Sequence, residues 1–181
     1  MVSLASAHQA GVAPPLNKAP PPVDGFAHST LGSTFRPEFF FSGRTEGGGV
    51  VRNPFGQIMR RCSIVTLGAW NEAKHAVEFD ETFTYDDGEV DHWRWVVTPG
   101  RDGRYLAAES LVGAGVPGFR QGRDYALNFR RPVGALSGVL APTFHTRFSP
   151  ISPDLVLKSA RLTLLGLPIG SMTAVHRQVC P

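Results

Sequence analysis

Residues 77–95 read VEFDETFTYDDGEVDHWRW, two runs of alternating character hinged on Asp86-Asp87-Gly88. Side chains along a strand point to opposite faces in turn, so Val77, Phe79, Phe83 and Tyr85 share one face. An Asp-Asp-Gly turn followed by Trp93 and Trp95 at the same spacing makes a hairpin. Glu81 falls on the apolar face too, where a carboxylate is costly unless it is paired. The stretch therefore announces a β-sheet protein and marks one position inside it where chemistry is expected.

Outward from that hairpin the pattern repeats. Strands are expected over 38–45, 57–67, 76–85, 90–97, 104–112, 123–131, 143–148, 155–164 and 171–179, with connectors such as Asn53-Pro54-Phe55-Gly56, Pro99-Gly100-Arg101-Asp102-Gly103 and Ser152-Pro153-Asp154. These connectors are short enough to make each strand the antiparallel neighbour of the last. No dozen-residue segment keeps a helical period. A meander this long leaves exposed edges unless it closes, so the expected fold is all-β, a single antiparallel up-and-down barrel of about 8–10 strands. Residues 35–181 form that domain, and residues 1–34, rich in alanine and proline with a Pro20-Pro21-Pro22 run, form an arm that supplies no strand.

Composition narrows the function classes. The chain has 181 residues, a length for one domain. Its 20 glycines and 15 prolines suit turns and strands better than a helical bundle. The net charge of +3 comes from scattered arginines, the only lysines being Lys18, Lys74 and Lys158, so no basic stripe marks a nucleic-acid partner. The two cysteines, Cys62 and Cys180, show no zinc or disulfide framework; a single disulfide between them is one reading, and a reducing compartment suits them at least as well. Neither a signal peptide nor a membrane-spanning run is legible, which gives a cytoplasmic expectation for the chain as it stands. A homodimer is left open.

The apolar face collects Phe39, Phe41, Trp93, Trp95, Tyr105, Tyr125, Leu127, Phe129, Phe144 and Phe148. Such a lining is either a solid core or the wall of a ligand cavity, and a barrel of this size accommodates both. Polar groups on the same faces favour the cavity: Glu81, Glu109 in step with Tyr105 and Ala107, and Arg161 in step with Leu155 and Leu157. Glu81 is either a structural ion pair with Arg61, Arg94 or Arg161, or a desolvated general acid or base. Gly113 to Gly118 spell G-x-G-x-x-G, but no helix or carboxylate follows at the required distance, so a wide turn or bulge between strands is expected there. The six histidines show no metal-ligand spacing, and no nucleophile elbow is present.

Phe55 to Arg61, Gly68-Ala69-Trp70, Phe79 to Gly88, Trp93-Arg94-Trp95 and Leu165 to Gly170 together resemble a bacterial family labelled domain of unknown function 3833. The resemblance covers roughly Phe39 to Arg177 and implies a lipocalin-like, calycin-type barrel; many members are predicted lipoproteins. Here Gly47-Gly48-Gly49 stands where relatives tend to carry a tryptophan, Phe144-His145-Thr146-Arg147 stands where they tend to carry an acidic pair, and no lipidated cysteine opens the chain.

The resulting expectation is a binder of a hydrophobic small molecule, such as a fatty acid, a terpenoid or an aromatic metabolite. Phe83, Tyr85, Trp95, Tyr105, Tyr125 and Phe144 are its walls and Glu81, Arg161 and His145 its polar anchors, with no metal and no cofactor. The alternative is a cofactor-free cyclase, isomerase or lyase in which Glu81 or His145 moves a proton. A filled, structural barrel is the third reading, implied by the lipoprotein habit of relatives.

Overall fold

In a computed structural model the described residues are 34–133 and 141–179. The expected arm lies outside them apart from Thr34, as does Cys180. Ten strands follow one another around a closed antiparallel barrel: β1 Gly43–Arg52, β2 Ile58–Asn71, β3 Ala76–Tyr85, β4 Val90–Pro99, β5 Arg104–Glu109, β6 Gly113–Gln121, β7 Asp124–Arg130, β8 Thr143–Ser152, β9 Leu155–Leu164 and β10 Leu167–Val179. Closure is made by β1 and β10, paired from Arg44↔Val179 to Arg52↔Ser171, so no edge is left. Every neighbour pair is sequential apart from that one, which is the up-and-down topology the short connectors dictate. Among the described residues no helix is long and apolar enough to cross a membrane.

Two segments depart from the expected strands. The first expected strand, 38–45, is instead a short helix, α1 (Pro37–Phe40), followed by β1. Pro37 supplies the fixed φ that opens a helix, and Phe41 N–H closes the turn on Pro37 O at 2.9 Å. The turn lets consecutive Phe40 and Phe41 both face inward while Phe39 is left 62% exposed, so of the two phenylalanines expected inside, Phe41 is buried and Phe39 is not. Gln178 Nε2 of β10 donates to Phe40 O at 2.9 Å, and Phe35 N–H to Arg123 O at 2.8 Å, so this segment is sewn across one end of the barrel as its floor. Gly68 of β2 makes room for it, since a Cβ there would stand 2.2 Å from Phe41 O.

The second departure is β6. Gly113 to Gly118 belong to a strand and not to a wide turn, with the register against β5 shifting between Ala107↔Val116 and Glu109↔Gly113, the irregularity that the bulge alternative anticipates, and the segment raises the strand count from the nine expected to ten. Its inward positions are Val116 and Gly118, and Gly118 is required because a Cβ would meet the Tyr125 hydroxyl at 2.4 Å. Strand β6 pairs with β7 only from Gly118 to Gln121, leaving its first half hydrogen-bonded to β5 alone. That short ladder is the weak seam of the barrel.

Candidate functional site

Alternation along each strand fixes what enters the bore. In β3 the inward set is Val77, Phe79, Glu81, Phe83 and Tyr85, and in β4 it is Asp91, Trp93, Trp95 and Val97. Glu81 is therefore inside, only 1% exposed. Its partner comes from the opposite wall: Lys158 of β9 reaches both carboxylate oxygens, Nζ–Oε1 2.9 Å and Nζ–Oε2 3.1 Å. The ammonium also sits among ring faces, with Phe83, Phe148 and Trp93 centroids at 5.0, 5.4 and 5.5 Å. A lysine stem is apolar enough to cross such a bore, and the head is then held by the carboxylate and the ring quadrupoles.

His176 of β10 completes the cluster, fully buried with Nε2 3.8 Å from Glu81 Oε1 and its ring edge-on to Phe41. Neither ring nitrogen has a hydrogen-bond partner among the described residues, nor do the buried hydroxyls of Thr45 and Thr66. Burial, with the Lys158 charge adding to it, lowers the imidazole from its usual 6.5 to about 3, so it is neutral.

Below this cluster the bore is packed. A cavity of about 20 Å³, lined by Glu81, Lys158, Thr146, Trp93, Trp95, Tyr125 and further rings, holds at most a water. Above it, at the end opposite α1, lies a cavity of about 300 Å³. Its walls are Val51, Phe83, Trp93, Phe144, Leu162 and Met172, and its rim carries Arg60, Tyr85, Glu89 and Asp91. Arg60 lies 3.7 Å over the Tyr85 ring and pairs with Asp87 at 2.8 Å and Glu89 at 2.9 Å. Burial pushes the Tyr85 hydroxyl up to about 12, so it stays a neutral donor at the rim. The bore is thus roomy at its mouth and solid at its centre, where the sequence led us to expect one open cavity.

The family model described as protein of unknown function (DUF3833) matches residues 23–178. The chain belongs to that family. No curated protein matches it. Among solved structures it is similar to an S-type phycobiliprotein lyase from Guillardia theta, with a TM-score of 0.58 and 11% identity over 81% of this chain and 94% of that one. At that identity the likeness shows the lipocalin-like barrel fold alone.

In this DUF3833 barrel the expected site residues separate into two groups. Phe83, Tyr85 and Phe144 line the mouth cavity, and Trp95 and Tyr125 line the small central one. Tyr105 packs edge-on to Tyr125 at 5.1 Å nearer the floor and borders neither. Arg161 and His145 are corrections. Both lie on the outer face, in one row with Asn128. His145 Nδ1 stands 3.2 Å from Asn128 Oδ1 and its Nε2 3.2 Å from Thr163 Oγ1, so it is a hydrogen-bonded surface residue outside the bore. Arg161 is exposed because the inward residues of β9 are Val156, Lys158, Ala160 and Leu162. A slip of one residue in parity exchanges every inward side chain for an outward one.

The three arginines named as partners for Glu81 are also excluded. Arg61 and Arg94 pair on the outside with Asp86 at 3.8 Å and Asp80 at 2.7 Å, and Arg161 faces solvent. Sequence reasoning missed Lys158 and His176. The signal was present: Lys158 alternates with Val156, Ala160 and Leu162, and His176 with Met172 and Ala174. Among the described residues no three His, Cys, Asp or Glu side chains are grouped to hold a metal.

The buried imidazole has a measurable consequence. His176 is neutral when folded and titrates at its usual 6.5 when unfolded, so unfolding takes up a proton between about 3 and 6.5. Stability should be fully present above pH 6.5 and fall as pH drops through that window, with a limiting slope of about 1.4 kcal/mol per pH unit. Asp87 and Asp154, both held below their usual 3.8, titrate lower and leave the range from pH 6.5 to 5 to His176. Urea denaturation at several pH values should show this slope flattened in His176→Leu. Equal slopes in both proteins would mean that the imidazole is already charged or solvated in the fold.

Proposed function

We propose that this protein binds a hydrophobic small molecule, of fatty-acid, terpenoid or aromatic-metabolite type, in the mouth of its barrel. The observation that carries the reading is the 300 Å³ cavity with aliphatic and aromatic walls under a rim of Arg60, Tyr85, Glu89 and Asp91. Mostly apolar pockets with a few convergent polar groups are the usual form of small-molecule sites. Trp93 lines this cavity, so occupation should change tryptophan fluorescence. We expect a saturable change with ten-carbon alcohols and aldehydes at roughly micromolar Kd. Leu162→Trp, which fills the cavity from its wall, should weaken binding about tenfold while leaving Tm within a few degrees. Flat titrations across apolar probes of this size, with the protein folded, would end the reading.

A second reading, a cofactor-free cyclase, isomerase or lyase, draws support from the Lys158–Glu81 pair with His176 beside it, directly below the mouth. The similar barrel of a protein described as a phycobiliprotein lyase is in keeping with it.

A further inference from the structure

We propose that Lys158 is a covalent attachment site for the carbonyl group of an apolar aldehyde or ketone, held as a protonated imine opposite Glu81. The inference rests on the binding reading above and names the ligand class for the same mouth. Lys158 is the one lysine inside the barrel among the described residues, with its side chain 6% exposed, whereas Lys74 is 61% exposed and paired with Glu78 on the outside. Two of the rings around Nζ, Phe83 and Trp93, are also walls of the mouth cavity. Phe83 and Trp93 thus border both the cavity and the amine, and the attachment proposed here requires Phe83 to turn aside.

The surroundings suit the product as well as the amine. An imine that keeps its proton carries the same single positive charge as the ammonium it replaces, so the Glu81 counter-ion and the ring faces hold both states. The chemistry balances without an added reagent. Nζ gives one proton to Glu81, the carboxylate it already contacts at 2.9 Å, and the freed amine lone pair adds to the carbonyl carbon. The carbonyl π pair moves to oxygen, which takes the proton back from Glu81 to give a carbinolamine still protonated on nitrogen. Nitrogen then passes one of its two protons by way of Glu81 to the hydroxyl, which leaves as water while the freed nitrogen lone pair forms the carbon–nitrogen double bond, and the one proton left on nitrogen keeps that bond protonated. The net change is ammonium plus carbonyl to iminium plus one water. The central cavity beside Glu81 and Lys158, about 20 Å³, has the volume of that one molecule.

The chain makes the test clean, because Lys18, Lys74 and Lys158 are its only lysines. The full-length protein is incubated with decanal or with decanol, binding is read by tryptophan fluorescence, and the decanal sample is reduced with cyanoborohydride and peptide-mapped. We expect both probes to bind and the reduced adduct to form at Lys158 about tenfold faster than at Lys74 or Lys18. Phe83→Leu should speed trapping, and the folded double variant Glu81→Leu/Lys158→Met should bind decanol but lose the fast adduct. Binding of both probes with labelling spread evenly over Lys18, Lys74 and Lys158 overturns the imine and leaves the binding reading standing. Absence of binding by either probe overturns both.

Discussion

Lys158→Met should lower the stability of this barrel by about 3–5 kcal/mol, the usual cost of leaving one member of a buried ion pair without its partner. Methionine keeps the stem that crosses the bore, so the loss reports the charge and not the packing. The carboxylate left behind on Glu81 is 1% exposed, and the neutral His176 stands 3.8 Å from it. With no ammonium opposite, that buried carboxylate has neither a counter-ion nor water to hold its charge. Glu81→Gln should cost a similar amount through the stranded ammonium.

The double replacement Glu81→Leu/Lys158→Met separates specificity from stability. Apolar substitution of a whole buried pair is often neutral or stabilising by about 1–4 kcal/mol, so the double variant should be far more stable than either single one. Urea unfolding of the four proteins completes the cycle. If Lys158→Met proved as stable as the native chain, the pair would be solvated in solution and the imine site would lose its counter-ion argument.

The parts of this molecule that were legible in sequence are those governed by local alternation. Strands β3 and β9 begin and end where the residues say they should, Ala76–Tyr85 and Leu155–Leu164, and the inward position of Glu81 follows from counting by two. What local alternation cannot give is parity where both faces of a strand are apolar. In β9 the outward residues include Leu155 and Leu157 and the inward ones Val156, Ala160 and Leu162, so hydrophobicity alone does not choose, and the choice moved Lys158 in and Arg161 out. Lys158 meets Glu81 across the bore, 77 residues along the chain, a contact that only closure of the barrel creates. The same limit hid α1, because two adjacent phenylalanines can both face inward only if the backbone turns, and it hid β6, whose glycines read as loop until Tyr125 is placed over Gly118. His145 was misread for a related reason: its partners, Asn128 and Thr163, come from strands on either side of it.

Arg131→Met should be the other severe lesion, costing about 3–5 kcal/mol and opening the barrel at its β6–β7 seam. Arg131 follows β7 and turns inward, 1% exposed, where its guanidinium lies 4.1 Å over Trp93. Nη1 and Nη2 donate to the two oxygens of Asp91 at 3.1 and 3.2 Å, Nη2 also to His92 O at 3.0 Å, and Nε stands 3.4 Å from Glu109 Oε2. One cation thus ties the end of β7 to β4 and β5 across the stretch where β6 and β7 share only four paired positions, Gly118 to Gln121. Removing it leaves two carboxylates facing the same space. Glu109, fully buried, keeps its bonds from Ser110 Oγ and from the Leu111 and Val112 amides, yet has no route to water. Arg131→Lys keeps the charge but cannot make the planar two-point contact or cover the indole, so it should recover only part of the loss. Hydrogen exchange distinguishes this from general destabilisation: amides of β5 and of the Glu109–Val112 turn should lose protection before those of β9 and β10. Because Asp91 also accepts the Trp93 Nε1–H bond at 2.7 Å and both residues line the mouth cavity, apolar probes should bind Arg131→Met more weakly even where it remains folded. Uniform loss of protection with unchanged probe affinity would show that the guanidinium holds neither the seam nor the site.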